Sequence, residues 1–159
     1  MDWLPWLPLI AAGLHIIEEF VFPGGFTAWY RSYRRDARRI TPRFLVIVNA
    51  GLLLACLNIG LLDRQQAGGV YWLLISAVQA TNGIWHVWAS YNSRQYSPGV
   101  ITGVLLYVPL AIYGYVAWVH AGIVPMRLAV PAYAVGGAYH LWSAAYHRAG
   151  KDEPRVAAS

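Results

Sequence analysis

Trp3-Leu4-Pro5-Trp6-Leu7-Pro8-Leu9-Ile10-Ala11-Ala12-Gly13-Leu14-His15-Ile16-Ile17-Glu18-Glu19-Phe20-Val21-Phe22 is a run of twenty residues, the length at which an α-helix spans the roughly 30 Å hydrocarbon core of a bilayer. Pro5 and Pro8 fall near its start, where a missing N–H costs little, and Pro23-Gly24-Gly25 stops the helix. Reading this run as membrane-spanning decides the fold class and isolates one anomaly. Glu18 and Glu19 are the only carboxylates within the chain's membrane-length segments. Residues three and four apart share a helix face, so His15, Glu18 and Glu19 fall within an arc of about 100°. A carboxylate near the bilayer centre costs on the order of 2.5–3.5 kcal/mol, and ionisable groups placed there mark function.

The composition agrees with a membrane protein. The chain has 159 residues, 58% hydrophobic and 12% charged, against about 25% charged in a soluble domain. Its length suits one domain. A single cysteine, Cys56, excludes a disulfide framework and a cysteine-based zinc site. Met1-Asp2-Trp3 lacks a basic leader, so no cleavable signal peptide is expected and the first apolar segment stays in the protein. Further membrane-length segments cover 42–62, 70–91, 97–120 and 128–147. Thr41 before Pro42 and Ser97 before Pro98 read as capped helix starts. The expected fold is therefore all-α: one domain, 1–148, with five transmembrane helices at 3–22, 42–62, 70–91, 97–120 and 128–147, and a disordered polar tail at 149–159.

Residues 26–40 read differently. Phe26, Trp29, Tyr30, Tyr33, Ala37 and Ile40 recur at helical spacing, and Arg31, Arg34, Arg35, Arg38 and Arg39 cover the rest. Such a basic amphipathic helix is expected to lie in the membrane interface. The loop after the first segment, the loop after the third and the C-terminus together hold ten of the twelve Lys and Arg residues, leaving Arg64 and Arg127 for the other side. Basic loops stay cytoplasmic. The N-terminus is thus expected outside and the C-terminus inside, in a bacterial cytoplasmic membrane. A net charge of +5 distributed in this way reads as membrane orientation and argues against a nucleic-acid partner.

With that topology the polar residues converge at one depth. Gln79, Asn82 and His86 form a stripe on the third membrane helix. His140 and Ser143 share a face of the fifth, and Asn49 lies about two turns into the second. His15, Glu18, Glu19, Asn49, Asn82, His86 and His140 all fall in the expected cytoplasmic half. Asn49 and Gln79 read as interhelical hydrogen bonds, and His120 and His147 as interfacial. Trp85, Trp88 and Trp142 lie beside the stripes as packing residues or pocket walls.

His15-Ile16-Ile17-Glu18-Glu19 resembles the signature of the HXXEE-domain family of small bacterial membrane proteins. Asn82-Gly83-Ile84-Trp85-His86 is similar to that family's N-x-x-x-H element, and Tyr96-Ser97-Pro98-Gly99 to the opening of its fourth helix. The resemblance implies a site and names no reaction. The first motif also resembles inverted zinc motifs of the form H-x-x-E-H, with Glu19 in place of the second histidine. The architecture is similar to membrane sterol isomerases of five helices, an analogy of fold alone.

Two chemistries fit the residues. His15, Glu18, Glu19, His86 and His140 supply the nitrogen and oxygen ligands that suit zinc, iron or manganese. Helix bundles assemble such sites from inward-facing Glu and His. Alternatively, adjacent carboxylates in low dielectric divide into an acid and a base, which suits a metal-free isomerase or cyclase. In either case His15, Glu18, Glu19 and Asn82 form the expected catalytic set. The expected partners are membrane lipids and a lipophilic small-molecule substrate. A proton- or ion-coupled transporter is a further alternative. A chain this short would then work as a homo-oligomer.

Overall fold

The computed structural model describes residues 3–34, 41–62 and 65–149. Among them every regular element is helical: α1 (Leu7–Phe20, entered through a 3-10 turn at Leu4–Trp6), α2 (Phe26–Tyr33), α3 (Pro42–Leu61), α4 (Gln66–Ser93), α5 (Val100–His120) and α6 (Met126–Ala149). Residues 35–40 of the expected amphipathic helix, Arg64 and the polar tail from 150 onward lie outside the described residues.

Local chemistry sets the helix ends. The Phe44 amide donates to Thr41 Oγ1 at 3.1 Å, and Pro42 occupies the first helical position of α3. In α1, Pro8 has no N–H to offer the Leu4 carbonyl, and Trp72 Nε1 of α4 donates to that oxygen at 3.3 Å. The start of α5 departs from the expectation that Ser97 caps it. Gly99, at φ 102°, is the residue before the first turn, and Ser97 Oγ is 2.9 Å from His86 Nδ1. The left-handed glycine delays the helix by two residues and frees the serine for the histidine.

α4 is the central element and packs against α1, α3, α5 and α6. Its buried face carries Trp72, Leu73 and Ile75 into a core shared with Ala12, Cys56 and Leu110. Where α4 crosses α5 the backbones touch. A Cβ on Gly83 would lie 2.7 Å from the Gly103 carbonyl oxygen, the close approach that small residues allow between helices. α5 continues from that crossing through a π turn at Gly103–Tyr107. α2 buries Phe26, Trp29 and Tyr30 against Ala89 and Trp85 of α4 and Leu45 of α3. Its aromatic face is therefore spent on protein contacts.

Among the described residues two helices, α3 and α5, are long and apolar enough to cross a membrane. On α3, Val46, Ile47, Leu54 and Leu61 are 68%, 70%, 61% and 71% exposed, an apolar outer surface suited to lipid. α1 has 14 residues, about 21 Å of α-helix at 1.5 Å per residue, short of the roughly 30 Å core. α4 and α6 have the length, but polar residues dilute their apolar character.

The Gly83–Gly103 crossing has a measurable consequence. Gly83→Val should lower the stability of the detergent-solubilised protein by about 1–3 kcal/mol in thermal unfolding. Gly51→Ala, at a position with no atom within 4 Å, should leave it unchanged or raise it.

Candidate functional site

The short helix α1 presents His15 and Glu19 to α4, and Glu18 to the first turn of α5. All three are buried. His86, on α4, is fully buried. Glu19 Oε1 lies 3.5 Å from His15 Nε2 and 3.2 Å from His86 Nε2. One ligand atom from each of His15, Glu19 and His86 lies within 4.8 Å of the others. The 3.2 Å contact does not have the angle of a hydrogen bond, and His86 Nε2 has no hydrogen-bond partner among the described residues. The ring nitrogen is thus beside the carboxylate without being aimed at it.

Glu18 faces another way and accepts four hydrogen bonds. Ile101 N donates to Oε1 at 3.0 Å, Thr102 N to Oε2 at 2.7 Å, Thr102 Oγ1 to Oε2 at 2.5 Å and the Tyr96 hydroxyl to Oε1 at 2.5 Å. Ile101 and Thr102 are the second and third residues of α5, whose amides have no partner inside the helix. A carboxylate from α1 therefore does the work of an N-cap side chain, reinforced by the positive end of the helix dipole. Burial and the hydrogen bond to Glu18 push the Tyr96 phenol above its ordinary value, so it remains a donor.

Counting protons fixes the state of His15. The one hydroxyl hydrogen of Thr102 goes to Glu18, so Thr102 Oγ1 accepts from His15 Nδ1 at 2.8 Å. In neutral His15 the proton then sits on Nδ1 and Nε2 is an acceptor. Asn82 Nδ2 donates to that Nε2 at 3.0 Å. His86 Nδ1 is hydrogen-bonded to Ser97 Oγ, a contact in which either group can donate. Both imidazoles are tethered by Nδ1, and both Nε2 atoms lie within 3.5 Å of Glu19 Oε1.

Gly99 closes one side of the cluster. A Cβ there would lie 2.8 Å from Cε1 of both His15 and His86. Tyr107, at the end of the π turn, packs its ring 4.5 Å from that of His15, centroid to centroid. Glu19 and Asn82 also line a largely apolar cavity of about 360 Å³ beneath α3 and α6.

The expected residues therefore separate. His15, Glu19 and His86 come together, with Asn82 bonded to His15. Glu18, expected as a ligand or an acid, has its oxygens committed to α5. His140, expected as a ligand, lies outside the cluster and lines the cavity with Asn49 and Gln79. Gln79 donates to the Pro8 carbonyl at 2.8 Å. His120 is exposed at the end of α5, as are Trp88 and Trp142 on their helices, while Trp85 packs against α2. Sequence reading missed Thr102, Ser97, Gly99 and Tyr107. The Ser97-Pro98-Gly99 break, with a threonine three residues on, was the available signal for the first three.

Two imidazoles and one carboxylate form a donor set known to hold zinc or ferrous iron. Ligand bonds of about 2.0–2.1 Å at tetrahedral angles put neighbouring donor atoms about 3.3 Å apart, close to the 3.2 and 3.5 Å found. A buried carboxylate also needs opposite charge. Among the described residues the groups recorded within 4.0 Å of the Glu19 oxygens for that purpose are these two histidines.

The model of the family described as proteins of unknown function with an HXXEE motif matches residues 6–114, and the chain belongs to that family. The matched region contains His15, Glu18, Glu19, Asn82, His86 and the start of α5. No curated protein matches the chain, and no solved structure does.

The two adjacent glutamates should respond oppositely to amide substitution. Glu18→Gln weakens a charged acceptor with four donors and should cost about 1.5–3 kcal/mol in denaturant unfolding. Glu19→Gln removes a buried charge whose partners within 4.0 Å among the described residues are two histidines, and the metal-free protein should be unchanged or more stable.

Proposed function

We propose that this HXXEE-family protein is an integral membrane metalloenzyme. In this reading His15 Nε2, His86 Nε2 and Glu19 bind one divalent cation, zinc or ferrous iron, and the site acts on a lipophilic substrate. The observation that carries the proposal is the convergence of these three donors within 4.8 Å in a buried site. The tethering of both Nδ1 atoms supports it, because metal-bound histidines characteristically give their other nitrogen to an orienting partner. The Glu18–Thr102–His15 chain is such a partner, and it leaves Glu18 to position rather than to ligate. The cation would polarise a substrate oxygen or lower the pKa of a bound water.

The cavity supports a substrate drawn from the bilayer. It reaches Glu19 and Asn82, and its other walls are mostly aliphatic side chains of α3 and α4. The apolar outer faces of α3 and α5 support membrane residence. The asymmetry of basic residues supports five crossings, with the N-terminus outside and the C-terminus cytoplasmic. That orientation places the His/Glu site in the cytoplasmic half of a bacterial inner membrane.

One observation favours a second reading. Asn82 Nδ2 already occupies the acceptor position of His15 Nε2, as it would in a metal-free acid/base site with Glu19 as base and His86 as its proton partner. Such a site would suit double-bond isomerisation or cyclisation.

Elemental analysis of the purified protein separates the readings. The metalloenzyme should carry about one equivalent of metal. Glu19→Gln and His86→Ala should lose it, and His140→Ala should keep it. Thr102→Val, which unties His15, should bind metal about 10–100-fold more weakly. Metal-free wild-type protein that cannot be loaded with zinc or ferrous iron would leave the acid/base site as the explanation.

A further inference from the structure

Five polar atoms outside the His/Glu cluster are buried with no hydrogen-bond partner among the described residues; two are the indole nitrogens of Trp29 and Trp118, and the other three are Gln79 Oε1, Tyr107 OH and His140 Nε2. These three come from different helices, yet Gln79, Tyr107 and His140 line the same cavity, the one that reaches Glu19. Gln79 and Tyr107 are 0% exposed. Buried polar groups are nearly always paired, so a cluster of unpaired ones around one space calls for an occupant.

The chemistry of that occupant follows from which atoms are free. Gln79 Nε2 must donate to the Pro8 carbonyl, 2.8 Å away, because a carbonyl cannot donate in return. The amide orientation is thereby set, and the free atom is the oxygen, an acceptor. His140 Nε2 is likewise unpaired, and in the neutral ring with its proton on Nδ1 it is a second acceptor. Tyr107 OH can donate or accept. Glu19 adds carboxylate oxygen at the inner end. The cavity thus offers mainly acceptors among apolar walls, and its ligand must bring hydrogen-bond donors on an apolar body. Its volume of about 360 Å³ lies in the range of small-molecule sites.

We propose that this cavity binds a lipophilic alcohol by its hydroxyl head, with its one hydrogen shared between Gln79 Oε1 and His140 Nε2 and its oxygen accepting from Tyr107 OH. The choice of a neutral hydroxyl over an ammonium group rests on the metal site proposed above, since a bound divalent cation repels a second positive charge. Gln79, Tyr107 and His140 are recognition residues here. None of them is a member of the metal cluster.

The test compares a C15 isoprenoid alcohol, its methyl ether and the matching primary amine as ligands of the detergent-solubilised full chain, read by displacement of a photoreactive analogue of the alcohol. The alcohol should bind about tenfold more tightly than the ether, the value of one good hydrogen bond. Gln79→Met should reduce that preference and leave ether binding unchanged, whereas Tyr107→Phe, which removes a donor to the oxygen of either ligand, should weaken alcohol and ether alike. Tyr107→Phe should also unfold at the same or a higher temperature without ligand, because it removes an unpaired hydroxyl, which shows that the variant folds. Equal binding of alcohol and ether, a preference unchanged in Gln79→Met, or affinities for both ligands unchanged in Tyr107→Phe would overturn the proposal. So would tighter binding of the amine by metal-loaded protein. The same comparison on Glu19→Gln separates this inference from the metal site. Alcohol preference retained there, beside a wild-type protein that takes no metal, means that the metal assignment fails and the alcohol site stands.

Discussion

The hydrogen bonds into the Glu18 carboxylate are the interaction on which the rest of the site depends. α5 follows a break at Ser97-Pro98-Gly99 and begins without a side-chain cap of its own. Its second and third amides find their acceptor on α1 instead. This contact joins parts of the chain more than 80 residues apart. It turns the start of α5 toward α1, and that in turn places Thr102 against His15 and Gly99 against both imidazoles. A charge that would be costly in a membrane is stabilised where a helix presents unpaired donors and a dipole. Adjacent glutamates on one helix thereby acquire different roles. One holds the frame, and the other faces the histidines.

The order of protons along Glu18, Thr102 and His15 links that frame to the chemistry. Because Thr102 has one hydrogen to give, and gives it to Glu18, it accepts from His15 Nδ1. The tautomer of a buried histidine is set by a carboxylate that it never touches. His86 is tied to the same loop through Ser97. The segment 96–102 therefore orients both imidazoles as well as opening α5.

Much of this was legible in the sequence, and the rest was hidden for identifiable reasons. The helices follow from apolar runs and their punctuation, and Thr41-Pro42 marks the start of α3 where the structure has it. The stripe Gln79, Asn82, His86 follows from helical spacing, and its members do face α1. Spacing could not separate Glu18 from Glu19, because both lie within the same broad arc and only their neighbours distinguish them. The side chain that most commits Glu18, Thr102, is a common residue at a helix start and shows nothing unusual in the chain itself. His140 shares the expected depth of the cluster, but α6 packs on the far side of the cavity and leaves it out of reach. The polar stripe of α4 also lowers its hydropathy, which is why α3 and α5 stand out as membrane-length helices.

Gly99 has a consequence for selectivity. Its backbone lies against the edges of both imidazoles, with no room for even a methyl group. Tyr107 covers a further face of His15. An approach to Glu19 is open from the cavity lined by α3, α4 and α6. A molecule entering there meets imidazoles already covered by Gly99 and Tyr107. A site covered unequally on its faces distinguishes mirror-image faces of a flat carbon centre, so any transformation performed there would be stereochemically directed in part by a residue that has no side chain.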